Sequence, residues 1–222
     1  MGSFPQSIVH YLPVTDHDER WGIVCTTAGY QNVPPGSYSF TRSRGRVLGE
    51  YQLLYIVSGQ GEFRSASSPA APVKAGTVVM LFPDEWHTYA PDPETGWEEW
   101  WVGFRGENID RRVAEGFFSP KTPLLHIGHS AGIVSCYQEI IRSAEEERKG
   151  FQQLVTGIVL HLLGSVLFKR DNLQYLDNPI VEKINRAREM MRRHIGDNLP
   201  PEEIARRLNI GYTWFRRTFR AY

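Results

Sequence analysis

The spacing of hydrophobic and polar residues changes character partway along this chain. Up to about residue 105, short aromatic and β-branched runs alternate with clusters of Gly, Pro and Ser. That alternation predicts strands separated by turns. Three runs stand out. Tyr51-Gln-Leu-Leu-Tyr-Ile-Val57 leads into Ser58-Gly-Gln-Gly61, read as a hairpin turn, with Glu62-Phe-Arg64 returning. Thr77-Val-Val-Met-Leu-Phe82 follows Lys74-Ala-Gly76 and stops at Pro83. Glu98-Glu-Trp-Trp-Val-Gly-Phe104 comes after the loop from Ala90 to Gly96. Short strands in a domain of this size predict a sandwich or a closed barrel. A barrel interior is lined by side chains and suits a small-molecule pocket.

Beyond Arg105 the period lengthens. From Ile133 to Lys149, apolar residues recur at 133, 134, 137, 140, 141 and 144; from Phe151 to Lys169 they recur at 151, 154, 155, 158, 159, 162, 163 and 166. Both series have helical spacing, and Gly150 between them predicts an antiparallel helix pair. Each stripe is wide enough to need a partner besides its sister helix, either the β domain or a second copy of the chain. Residues 170 to 178 are polar and read as a linker. A helix is expected from Ile180 to Ile195, and another through Leu199 to Ile210, with Pro201, Glu202 and Glu203 in its first turn. Asn209-Ile210-Gly211 forms a tight connection to a last helix from Tyr212 to Tyr222.

Composition narrows the compartment and partners. The 25 basic and 25 acidic residues balance, yet Leu176 to Tyr222 carries 10 Lys or Arg against 6 Asp or Glu. That local surplus is compatible with nucleic acid or with a solvated helical face. The two cysteines, Cys25 and Cys136, are too few for a disulfide framework and read as buried thiols in a reducing compartment. No basic, then long apolar, segment opens the chain. The stretch Leu154 to Phe168 is interrupted by His161 and is too short to span a bilayer, so a buried helix is expected. These features predict a cytoplasmic protein without a membrane partner.

Two constellations could carry chemistry. In the C-terminal segment, two short helices and a three-residue turn have helix-turn-helix spacing, in which the second helix enters the major groove. Ile204, Ala205, Leu208, Phe215 and Phe219 would form its core, leaving Thr213, Arg216, Arg217 and Arg220 on other faces. Arginine both reads guanine edges and binds phosphates; an ordinary helical hairpin with a basic solvent face fits the same pattern. In the β domain, Trp97, Glu99 and Trp101 share one strand parity, and His87 and Tyr89 share another. Aromatic plates, a carboxylate and an imidazole suit a sugar, and Arg44 would add several donors. Read singly, each tryptophan could be core and His87 a turn cap. No phosphate loop, nucleophile triad or three-ligand metal motif is evident, so no metal, cofactor or enzymatic activity is expected.

These segments together resemble the AraC/XylS family of bacterial transcription regulators, particularly its carbohydrate-responsive branch. The resemblance rests on Tyr55-Ile-Val-Ser-Gly-Gln-Gly-Glu-Phe63, Lys74 to Pro83 with His87 and Tyr89, Trp100 to Arg105, and Leu199 to Arg220. It implies an α+β chain. An N-terminal cupin-like jelly-roll β-barrel (residues 1–125) would bind a small-molecule effector, often a sugar. An antiparallel linker helix pair (126–175) would mediate homodimerisation, and a partial helix-turn-helix unit (176–222) would contact double-stranded DNA in the full-length protein. In similar arabinose-responsive proteins an early arginine, a tyrosine after the strand-end histidine and a last-strand tryptophan line the sugar site; these match Arg44, Tyr89 and Trp101. Their histidine two residues before that tryptophan is Glu99 here, an acceptor where a donor is usual. Leu53 and Tyr55 occupy the strand where metal-binding cupins place histidines. Thr213, Arg216 and Arg217 match base-facing positions, and Gly211 replaces the serine that usually opens that helix. The family's DNA domain has two such units, and the sequence carries the pattern of the first.

The expected function is thus a transcription regulator that senses a mono- or oligosaccharide in the barrel. The alternatives are a ligand-binding or dimerisation module without DNA binding, and a cupin-type sugar isomerase.

Overall fold

The computed structural model describes residues 7–36, 44–176, six positions between 183 and 191, and 199–221. The chain divides into two compact units, Met1–Arg170 and Asp171–Tyr222. The first contains strands β1 (Ser7–Tyr11), β2 (Val24–Val33), β3 (Tyr51–Ser65), β4 (Ala71–Lys74), β5 (Thr77–Leu81), β6 (His87–Pro91), β7 (Trp97–Arg105) and β8 (Leu124–His126). Its helices are α1 (Asp16–Glu19), α2 (Glu107–Ala114), α3 (Ala131–Glu146) and most of α4 (Phe151–Leu176).

All ladders between these strands are antiparallel. The strand path is β1-β2-β7-β3-β5-β8, with β4 and β6 pairing β3 off this path. The expected closed jelly-roll barrel is therefore corrected. Among the described residues no ladder joins β1 to β8, and the sheet is open. Its arrangement follows from β3, a single strand of 15 residues. The segment Ser58–Gly61, expected as a hairpin turn, lies inside that strand. A bulge falls between Ile56 and Ser58, and Gly59 takes a φ of 78°. β3 pairs with β5 up to Ile56 and with β7 up to Gly59; from Gln60 onward it pairs with β4 and β6. The two glycines serve close backbone approach. A Cβ at Gly59 would lie 2.1 Å from the Gly96 carbonyl, and one at Gly61 2.2 Å from the Ala90 carbonyl.

The sheet separates two buried regions. Alternate residues Ala28, Tyr30, Leu53, Tyr55, Val78, Met80, Trp100, Val102 and Phe104 join a core with α3 and α4. The helices contribute Ile133, Tyr137, Ile140, Ile141 and Ala144, then Val155, Val159, Leu162, Leu163 and Val166. That spacing is the helical period expected from the sequence. Polar contacts fix the helices to the strands. The Tyr55 hydroxyl donates to the Gly128 carbonyl and accepts from the Ser130 amide, each at 2.9 Å, immediately before α3. Tyr137 donates to the Leu53 carbonyl at 3.0 Å. From α4, the buried Gln152 accepts from the Cys25 amide at 3.1 Å and donates to the Cys25 and Pro13 carbonyls, each at 2.9 Å. The opposite side of the sheet carries Val33, Leu54, Ile56, Phe63, Val73, Val79, Leu81 and Trp97.

Helix α4 continues to Leu176, replacing the linker expected from residue 170. Its segment Phe151–Leu173 is long and apolar enough to cross a bilayer by length and composition. One face, however, is committed to the sheet core, as in the central helix of a globular unit. The thiols of Cys25 and Cys136 are free, and burial raises the pKa of both.

In the second unit, α5 (Pro201–Arg207) and α6 (Tyr212–Ala221) pack around Ile204, Ala205 and Phe215, with Ile184 and Ala187 in the same cluster. Asn209 turns the chain between them with a φ of 51°, a conformation asparagine tolerates. The helix expected over Ile180 to Ile195 lies largely outside the described residues.

Candidate functional site

The strand register builds the site. On β2 and β7, Gly29 faces Trp101, Gln31 faces Glu99 and Val33 faces Trp97. Side chains two apart on a strand share a side, so this pairing lays two indoles and a carboxylate along one surface. A cavity of about 500 Å³ opens there. Its walls include Trp97, Glu99 and Trp101 from β7, Tyr89 from β6, Thr27 and Gln31 from β2, and Val9 and Tyr11 from β1. Arg46, Glu50 and Gln52 supply a polar side, with Leu48 among them. That volume and mixture fall within the range of small-ligand sites.

A continuous polar network runs along that side. Glu50 accepts from the hydroxyls of Thr26 and Thr27 and from Gln52 Nε2, the last at 3.0 Å. Arg46 donates from Nη2 to the Tyr89 hydroxyl at 2.9 Å and to Gln52 Oε1 at 3.5 Å. Its guanidinium carbon also lies 5.6 Å from the Tyr89 ring centre. Gly103 leaves space for this chain; a Cβ there would fall 2.2 Å from the Thr27 hydroxyl and 2.4 Å from Glu50 Oε1.

Glu99 stands apart from the network. Only 4% of it is exposed, and its Oε2 has no hydrogen-bond partner among the described residues. Burial pushes its pKa up to about 7, against the opposing pull of the Arg46 charge. A buried, unsatisfied carboxylate oxygen is costly, and a ligand hydroxyl or amine would relieve it.

The residues singled out from the sequence fall into three groups. Tyr89, Trp97, Glu99 and Trp101 meet at the cavity. His87 is buried behind it: Nδ1 donates to the Glu85 carbonyl at 3.1 Å, which leaves Nε2 to accept from Arg46 Nε at 3.4 Å. Burial lowers its pKa, and Arg46 lowers it further, while the Glu85 carbonyl works the other way. Arg44 is exposed and lies outside the lining. The guanidinium in the wall is that of Arg46, whose backbone forms an isolated bridge with His87. Glu50 and Gln52 were also missed. Gln52 carried a signal, as a polar residue on the strand parity of Leu54 and Ile56.

A second surface lies on α6. Thr213, Arg216, Arg217 and Arg220 are exposed and line one shallow hollow, opposite the buried Phe215. Their spacing is one helical stripe. On α5, Glu203 pairs with Arg206 and Arg207 at 2.7 and 2.8 Å, contacts that draw its carboxyl down to about 2.

Comparison with known proteins agrees in part with these features. The Msm operon regulatory protein of Streptococcus mutans is 22% identical over 78% of this chain and 63% of its own length. The raffinose operon transcriptional regulatory protein RafR of Pediococcus pentosaceus is 29% identical over 41% of the chain and 34% of its own length. The chain thus spans less than two thirds of each of these relatives. Among solved structures, the protein YhaK from Escherichia coli overlaps 45% of the chain and 44% of its own, at 12% identity and a TM-score of 0.37. Residues 36–163, more than half of the sequence and most of the cavity-bearing unit, match the AraC-like ligand binding domain, and the chain belongs to that family.

Proposed function

We propose that this chain is the sensing part of a DNA-binding transcription regulator whose effector is a saccharide held in the cavity beside β7. The observation that carries the reading is the run Trp97, Glu99, Trp101, in which two indoles flank a carboxylate oxygen that lacks a partner among the described residues. Apolar sugar faces pack on indoles, and sugar hydroxyls need fixed acceptors and donors. Glu99, Gln31, Gln52 and Arg46 offer both. The two curated relatives bear the names of operon regulators, one of them for raffinose, which supports a carbohydrate effector.

The stripe Thr213, Arg216, Arg217 and Arg220 supports DNA contact through α6. An apolar groove lined by Cys136, Leu154, Gly157 and Ile158 on α3 and α4 supports pairing with a second copy of the chain. Ligand would act by favouring one arrangement of these helices over another. Binding rather than catalysis is supported by His87, both of whose ring nitrogens are engaged.

Calorimetric titration of galactose, sucrose and raffinose tests the reading. Saturable binding that Trp101→Ala weakens at least tenfold is expected. If none of the three binds, the carbohydrate assignment fails; if binding is unchanged in Trp101→Ala, the indole is not a stacking surface.

A further inference from the structure

Every second residue of β2 from Thr27 to Val33 points toward the cavity, and Thr27, Gln31 and Val33 all line it. Gly29, on the same parity, does not. The indole of Trp101 covers it from β7. A Cβ built on Gly29 would lie 2.1 Å from Trp101 Cζ2 and 2.6 Å from Cε2, and 2.5 Å from the Ile8 carbonyl on β1. Non-bonded carbons rest about 3.5–4.0 Å apart. The six-membered part of the indole therefore occupies the place where any other residue would carry its side chain.

The position also lies between two residues of the cavity wall. Gly29 lies between Val9 of β1 and Trp101 of β7 in the ladder, and both neighbours line the cavity. With bare backbone there, the ring takes the space a side chain would fill and still lines the cavity. A methyl group at residue 29 must push the ring outward by roughly 1.5 Å or more to reach ordinary contact distance, or push β1 aside. The first displacement carries the indole into the volume that a ligand ring would fill.

We propose that Gly29 is a positioning residue for ligand recognition, seating the Trp101 indole against β2 and thereby setting the clearance above it. This rests on the reading of the cavity as a saccharide site, since clearance above the indole matters only to a ligand that stacks on it. Gly29 touches no ligand in this scheme; its effect passes through Trp101.

Two measurements test this, the first of them independently of the saccharide reading. In the full chain labelled with 5-fluorotryptophan, Gly29→Ala should move the fluorine resonance assigned to Trp101, by its loss in Trp101→Phe, and leave that of Trp21 in place. Titration with galactose, sucrose and raffinose should show a tenfold or greater loss of affinity in Gly29→Ala. In the Trp101→Phe background, which removes the outer ring that meets residue 29, the same substitution should cost less than threefold. An unmoved Trp101 resonance overturns the seat, whether or not any sugar binds. Equal losses in both backgrounds also overturn it, because the effect then runs through β1 and the Ile8 carbonyl. If no sugar binds the unaltered chain, the saccharide reading fails while the resonance still decides the seat.

Discussion

Trp100 and Trp101 are neighbours in sequence and lie on opposite sides of one sheet. Trp100 is 2% exposed, sits 4.5 Å from the Tyr30 ring and belongs to the core shared with α3 and α4. Trp101 lies against Gly29 with the cavity in front of it. One side of the sheet is a continuous apolar core, and the other combines a smaller apolar cluster with a cavity that has a polar wall. The first side secures the fold, while the second keeps one carboxylate oxygen, on Glu99, without a partner among the described residues. Substitutions should separate the two. On the helix side, Trp100→Ala should lose about 3–5 kcal/mol of stability, the range for emptying a large aromatic site in a packed core. Urea unfolding measures it, and a loss below 1 kcal/mol would remove the distinction drawn between the two faces.

The next effect comes from the cavity side and is a cost rather than a support. An unfolded glutamate ionises near its ordinary value of 4.5, whereas Glu99 in the fold holds its proton up to about 7. Between those values the folded chain binds the extra proton. This contribution to stability is therefore full below about pH 4.5, declines as pH rises, and is gone above about pH 7, a difference of about 3 kcal/mol. Denaturation curves at pH 5 and pH 8 should differ accordingly. Glu99→Gln should flatten that part of the profile, and a profile unchanged by Glu99→Gln would place the proton elsewhere.

Between these faces stands Gln152, which ties α4 to the β2 backbone beside the bulge at Cys25 and Thr27. Gln152→Ala would leave a buried amide and two carbonyls without their partner and should cost about 2 kcal/mol. Hydrogen exchange at the Cys25 amide should accelerate in step with the loss. Retained protection there would mean that the strand holds itself.

The sequence made much of this layout legible, because periodicity records which side of an element is buried. The spacing of Ile133, Tyr137, Ile140 and Ile141 marked the inner face of α3, and the parity of Trp97, Glu99 and Trp101 placed them on one side of β7. Other features left no such trace. Gly59-Gln60-Gly61 has the composition of a hairpin turn, yet the glycines serve close backbone approach within a bending strand, a demand set by Gly96 and Ala90 far along the chain. The closed barrel expected by family resemblance is likewise a matter of long-range pairing: β3 shares itself among four partners, and among the described residues no ladder joins β1 to β8. Arg46 sits outside any regular strand, joined to His87 by a single bridge. No alternation could distinguish it from Arg44. Its contacts with Gln52, His87 and Tyr89, the last 43 positions away, single it out.

The smallest expected effect on stability tests the division at its finest grain. Tyr30 and Gln31 are adjacent on β2; Tyr30 is buried against Trp100, and Gln31 is exposed at the cavity wall opposite Glu99. Gln31→Ala removes no core volume and leaves no buried group stranded, so stability should change by no more than about 0.5 kcal/mol. If a saccharide hydroxyl uses the amide, affinity should fall by about 0.5–1.5 kcal/mol, the net worth of one neutral hydrogen bond. Calorimetry and urea unfolding on the same preparation measure both. A variant that loses stability but not affinity would show that the cavity wall is part of the scaffold, and the line between the two sides of the sheet would have to be redrawn at β2.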